Sequence, residues 1–158
     1  MNDNTLLRTL LIPVKGTQLL VPSATVLEVL PFSQPRPVAD SPDWILGTTG
    51  WRSGAIPVIC LETLFTGTEP DLGSRTRLAV FNPVGEARAL PQYAVLVQAV
   101  PRLVALEQHM IQSVEHGSEL PDGVISKAVL ASQVAFIPDL EHIEAQLMDA
   151  MALADEVV

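Results

Sequence analysis

With 158 residues and 48% apolar side chains, the chain is long enough to bury a core and corresponds to one domain, or to two small halves sharing a core. Thirteen prolines leave little room for long uninterrupted helices, which disfavours a helical bundle, and the apolar content excludes a wholly disordered chain. Nine basic against eighteen acidic residues give a formal charge of −9, the wrong sign for neutralising phosphates, so nucleic acid is not an expected partner.

Thr5 to Val14 is rich in Leu and Ile, Lys15-Gly16-Thr17 supplies a turn, and Gln18 to Val21 resumes the apolar run before Pro22. That pattern predicts a β-hairpin. Ala24 to Leu30 mixes β-branched residues with the single charge Glu28, and Pro31, Pro35, Pro37 and Pro42 make the next segment an extended connection. Trp44 to Gly47 leads through a turn at Gly50 to Gly54 into a largely buried strand, Ala55 to Leu61, with Pro57 near its start. Thr66 to Ser74 reads as a mobile loop rich in Gly and Thr. Leu78 to Phe81 and Tyr93 to Val97 predict a second hairpin with a long connection, and further strands are expected at Val100 to Leu106, Val124 to Leu130 and Val134 to Ile137.

The period then changes. Leu140, Ile143, Leu147, Met151 and Ala154 recur at steps of three and four, one face of a helix expected from Asp139 to about residue 154, with no Gly or Pro as far as Val158. Asp139 can cap it, and Glu141 and Glu144 lie near its positive end. Many short strands and one terminal helix predict a mainly β domain, with two small barrels against one core as the favoured version.

The charge excess sits in the second half: after Ala79 there are three basic and eleven acidic residues, and from Asp139 onward six acidic residues and no Lys or Arg. Such an end avoids anionic membrane surfaces. Apolar runs of about ten residues or fewer fall short of the ~18–20 of a spanning helix, so no direct membrane insertion is expected. Cys60 has no internal disulfide partner and no charged-then-apolar leader opens the chain, from which a cytoplasmic location is expected.

Cys60 with a neighbouring base would define one function class, a small cysteine-dependent hydrolase, with His109, His116 and His142 the histidines available. Cys60 lies in an apolar strand, where an inert buried thiol is the common case. The histidines show no metal-ligand spacing and read as surface residues, and neither a Walker pattern nor a strand-following GxGxxG is present. Asp139 and Glu141 read as a solvated helix face. No catalytic, metal or cofactor site is expected. Trp51-Arg52 in a glycine-flanked turn has the residue types most enriched at interface hot spots; the competing reading is a core tryptophan beside a surface arginine.

At this segment the sequence resembles the CheW-like family of bacterial chemosensory adaptors. The family pattern is a glycine, a short apolar stretch, an Asn-Leu-Arg-Gly turn and an apolar strand reading Pro-Val-Ile-Asp-Leu. Gly47-Thr48-Thr49-Gly50-Trp51-Arg52-Ser53 followed by Ile56-Pro57-Val58-Ile59-Cys60-Leu61 has the same order and length. Ser41-Pro42-Asp43-Trp44-Ile45-Leu46 is similar to the family's approach to that glycine, Val26-Leu27-Glu28-Val29 to its Val-x-Glu-Ile, and Phe136 to Glu141 to its last strand and helix start. Tyr93 to Leu106 is similar to the strand and turn before its variable loop.

The departures are Gly50-Trp51-Arg52-Ser53 for Asn-Leu-Arg-Gly, Cys60 for Asp, and Val97-Gln98-Ala99-Val100 for Val-Asp-Gly-Val. They bring the chain closer to the divergent members of type IV pilus twitching-motility systems than to flagellar chemotaxis members.

The resemblance implies a single domain over residues 1–158, built as two small five-stranded SH3-like β-barrels on a shared core with a C-terminal helix. It also implies a non-catalytic adaptor that couples the regulatory domain of a CheA-type histidine kinase to the cytoplasmic tip of a methyl-accepting chemoreceptor. Arg52, Trp51 and Glu28 would then lie at the coupling surface, with Val26, Val100 and Leu103 lining an apolar groove for a receptor helix.

Overall fold

The structure, a computed structural model, describes residues 6–85, 92–107, 111–112, 123–130 and 133–156. Lys15 and Gly16 turn the chain between β1 (Leu6–Val14) and β2 (Thr17–Pro22), with Gly16 at φ 81° where a side chain would be strained. After a 3-10 turn at Ser23–Thr25 come β3 (Val26–Pro31), β4 (Ile45–Trp51) and β5 (Gly54–Ile59). A short helix α1 (Leu61–Thr66) precedes β6 (Arg77–Phe81), β7 (Tyr93–Val97) and β8 (Arg102–Glu107). Then follow β9 (Ile111–Gln112), β10 (Val124–Leu130), β11 (Gln133–Pro138) and α2 (Leu140–Glu156).

The strands form two sheets, in the orders β8-β1-β2-β11-β10-β9 and β3-β6-β7-β5-β4. Five strands of each are the expected set, and the two-residue β9 extends the first by a sixth. Most neighbours are antiparallel; β11 with β2 and β5 with β7 are parallel and pair over one and two positions respectively. Both expected hairpins form, β1 with β2 from Thr9↔Pro22 to Val14↔Thr17 and β6 with β7 from Arg77↔Val97 to Phe81↔Tyr93.

Alternation of side chains sorts the apolar residues into three cores. Leu78 and Val80 of β6 and Ala94 and Leu96 of β7 enter the core of the second sheet with Ile56, Val58 and Cys60. Ala79 and Phe81, with Tyr93, Val95 and Val97, point the other way into a central core shared with Ile12, Val14, Leu19 and Val21 of the first sheet. Burial on both faces is why β6 and β7 read as unbroken apolar runs. Leu11, Leu20, Leu106, Ala128 and Ala135 fill the first sheet's own core. Leu140, Ile143 and Leu147 of α2 join the central core.

Three local readings change. The turn expected over Gly50 to Gly54 shrinks to Arg52-Ser53, because Gly50↔Ala55 and Trp51↔Gly54 continue the β4–β5 ladder. Leu61, expected in the strand, starts α1 instead, and Gly67 at φ 73° ends that helix with its N–H on the Thr63 carbonyl. The loop after α1 has no regular structure but is tied down by Gln98 Nε2 on the Asp71 carbonyl, an ion pair of Lys15 with Asp71 at 3.5 Å, and Gly73 N–H on Thr76 Oγ1.

The Pro-rich segment serves as a strap. β3 and β4 are the two outer strands of the second sheet, and the chain between them folds back along β4, where Arg36 and Thr48 exchange backbone hydrogen bonds of 2.8 and 2.9 Å. Gly47 permits this crossing: its φ is 141°, and a Cβ there would lie 2.2 Å from the Arg36 carbonyl oxygen.

Candidate functional site

A bulge in β3, where pairing to β6 shifts between Val26 and Glu28, leaves two consecutive residues, Leu27 and Glu28, facing solvent. Across the open side of the second sheet the β4–β5 hairpin turns at Arg52-Ser53, with Arg52 at φ 54° in the left-handed region. Trp51 Nε1 donates to Glu28 Oε2 at 2.8 Å, joining the two outer strands through side chains. The Trp51 ring packs on the core of its own sheet and carries the Arg52 guanidinium 4.2 Å from its centre. Of the two readings of Trp51-Arg52, the packing bears on the tryptophan set on a core beside a surface arginine. The indole is anchored and the guanidinium is exposed, oriented by a ring and not by a carboxylate.

Glu28, Trp51 and Arg52 thus come together. Val26 does not join them as a surface residue: it is half-buried and packs against the central core, opposite Phe81 in the ladder. Val100, in the connection from β7 to β8, is 57% exposed, and Leu103 on β8 is 68% exposed, opposite Leu10 of β1. Leu103 belongs to the first sheet, where Leu6 and Leu7 are also exposed, and Val100 precedes it in the connection.

Cys60 is fully buried at the end of β5. Its thiol donates to Glu62 Oε2 at 3.3 Å and accepts from Thr63 Oγ1 at 3.2 Å. Burial pushes the thiol up to about 11; the nearby Glu62 charge adds to this and the Thr63 hydrogen bonds oppose it. A thiol held protonated, next to a carboxylate and away from solvent, is placed as a donor and not as a nucleophile, and nothing in this setting supports the hydrolase reading. His142 is exposed on α2 and meets Gln146 at 3.2 Å; His109 and His116 lie outside the described residues.

Two buried carboxylates escaped sequence reasoning. Glu62 accepts the Lys15 N–H at 3.0 Å, fixing α1 to the β1–β2 turn. Glu144, expected at the positive end of the helix, is instead 1% exposed. It accepts from Tyr93 Oη at 2.7 Å, from the Val84 N–H at 3.0 Å and from the Gly85 N–H at 2.9 Å. Burial and Glu144 together push the Tyr93 phenol well above its ordinary value. The signal was present: position 144 falls between Leu140 and Leu147 on the apolar stripe, where a carboxylate requires donors. Asp139 caps α2 as expected, its Oδ1 accepting the His142 N–H at 3.2 Å. No described helix is long and apolar enough to cross a membrane.

Comparison with known proteins places these features in a family. The scaffolding protein TtCheW from Thermoanaerobacter tengcongensis superposes with a TM-score of 0.75 over 88% of both chains at 16% identity, which shows a common fold. Protein FrzA of Myxococcus xanthus is 41% identical over 67 residues, 42% of this chain and 42% of that protein. The chain thus matches less than half the length of that relative. The model of the CheW-like domain matches residues 8–147, from β1 into α2, and the chain belongs to the CheW-like domain family.

Proposed function

We propose that the protein is a non-catalytic signalling adaptor, a single domain that binds the regulatory domain of a CheA-type histidine kinase and the cytoplasmic tip of a methyl-accepting chemoreceptor. It would work in the cytoplasm, in chemotaxis or type IV pilus twitching motility. The observation that carries this reading is the Glu28, Trp51 and Arg52 constellation. A large indole and a guanidinium are presented at the surface already oriented, which lowers the entropy lost when a partner docks. Family membership and the likeness to a scaffolding protein support the adaptor role. Exposed Val100 and Leu103 offer the aliphatic contacts that a receptor helix would need.

The test is reconstitution of kinase, receptor and adaptor with the wild-type protein and with Arg52→Ala. Arg52 is exposed and makes no described ion pair, so the substitution should alter stability by no more than about 0.5 kcal/mol, the usual surface range. Receptor control of kinase activity should fall with it. Wild-type coupling by a folded Arg52→Ala protein would remove Arg52 from the surface, and a wild-type protein that binds neither component would remove the adaptor reading itself.

A further inference from the structure

The strap pairs its backbone with β4 where Arg36 meets Thr48, and Ser33 Oγ meets Thr49 Oγ1 at 3.3 Å. Pro35 and Pro37, which have no N–H, flank Arg36 at the alternate positions that face away from β4. In the β4–β5 hairpin, hydrogen-bonded and non-hydrogen-bonded pairs alternate, and Trp51 and Gly54 enclose a two-residue turn as a bonded pair. Gly50 opposite Ala55 and Thr48 opposite Pro57 are therefore non-bonded pairs, whose N–H and C=O groups face away from β5. Arg36 takes those of Thr48. Those of Gly50, next along the same edge, find no backbone partner among the described residues.

Between the strap and β4 lies a cavity of about 320 Å³, lined by Gln34, Arg36, Thr48, Thr49, Gly50 and Ala55. Gly50 is exposed, and nothing stands within 4 Å of a Cβ built on it. The lining holds one cation, Arg36, with amide and hydroxyl groups and no carboxylate. No described acidic side chain forms an ion pair with Arg36, although the chain carries twice as many acidic as basic residues.

We propose that this cavity receives an extended acidic segment of a partner protein. The segment forms one further β-bridge, to the N–H and C=O of Gly50, and sets a carboxylate on the Arg36 guanidinium. An unpaired strand edge selects for extended backbone, and a lone guanidinium among hydroxyl and amide groups selects for a carboxylate over an apolar or cationic side chain. The slot uses neither Glu28 nor Trp51 nor Arg52, so it stands or falls apart from the adaptor surface.

The probe is acetyl-Val-Glu-Val-Glu-Val-amide, titrated into the full chain while hydrogen exchange of the Gly50 amide is followed by NMR, beside the peptide with lysine for glutamate. Saturable binding with protection of the Gly50 amide is expected, weakened about tenfold by Arg36→Gln and lost with the lysine peptide. The proposal is overturned by absence of binding, by binding that leaves the Gly50 amide unprotected, or by equal affinity of wild type and Arg36→Gln. It is overturned equally if free acetate reproduces the protection, which would make the cavity a small-anion pocket. Thermal unfolding of Arg36→Gln is run alongside, since the side chain is exposed and its loss should leave the fold intact.

Discussion

Cys60 closes β5 with its thiol between Glu62 and Thr63, and its burial has a consequence for stability as well as for chemistry. The unfolded thiol loses its proton near 9.0, whereas the folded one keeps it to about 11. Above pH 9 ionisation therefore favours the unfolded chain. The contribution is fully present below that pH and is lost as pH rises through about 11, in total roughly 2–3 kcal/mol. Tyr93, also pushed up by burial, adds a loss of the same sign only from its ordinary value of 10.0 upward. Urea unfolding should thus show stability falling between pH 9 and 10 in the wild type, with a shallower fall in Cys60→Ala. Parallel pH profiles would show that the thiol is not buried as described. The apolar setting of Cys60 was legible in the sequence, because it continues a run of β-branched residues. Its neighbours were not, since α1, which brings Glu62 back against it, was not read as a helix, with only its first residue placed in a strand and its last in a loop. For Glu144 the distance is greater still: Tyr93 lies 51 residues away, and no local pattern connects a phenol on a strand to a carboxylate on a helix.

Elements punctuated by turn residues and carrying a single period were readable. The β1–β2 and β6–β7 hairpins and α2 fall where their apolar spacing puts them, within a few residues. α1 was missed because six residues give a helical period less than two turns in which to show itself, and because its N-cap, Cys60, makes no side-chain capping bond. The strap was read correctly as extended, but its closing role depends on Arg36 meeting Thr48, a contact that no short-range signal encodes. Gly47 is where that contact can be tested. Gly47→Ala must both adopt φ 141° and place a methyl 2.2 Å from the Arg36 carbonyl, so the strap has to move off β4 or the strand has to bend. We expect a loss of about 2–3 kcal/mol in chemical unfolding, with loss of exchange protection at the Arg36 and Thr48 amides. A Gly47→Ala protein as stable as wild type would mean that the strap does not cross there.

Across the whole molecule, two sheets share a central core because β1, β2, β6 and β7 bury both faces, which leaves their outward functions to edges, turns and connections. Double-sided burial was visible as continuous apolar runs. Which aliphatic residues stay outside was not, since Val26 and Val100 look alike in sequence, yet one packs on the core and the other is 57% exposed. Val100→Asp turns that difference into a measurement. A carboxylate forced into a core without a partner would unfold the domain. At an exposed connection it should instead shift stability by no more than about 0.5 kcal/mol. If Val100 and Leu103 receive the apolar face of a receptor helix, the same carboxylate would lie desolvated and unpaired in that interface. Affinity for a receptor-tip peptide should then fall about tenfold or more while thermal unfolding stays near wild type. A folded variant with undiminished affinity places the receptor contact elsewhere on the surface. An unfolded one contradicts the exposure of Val100, and with it the assignment of this face to any partner.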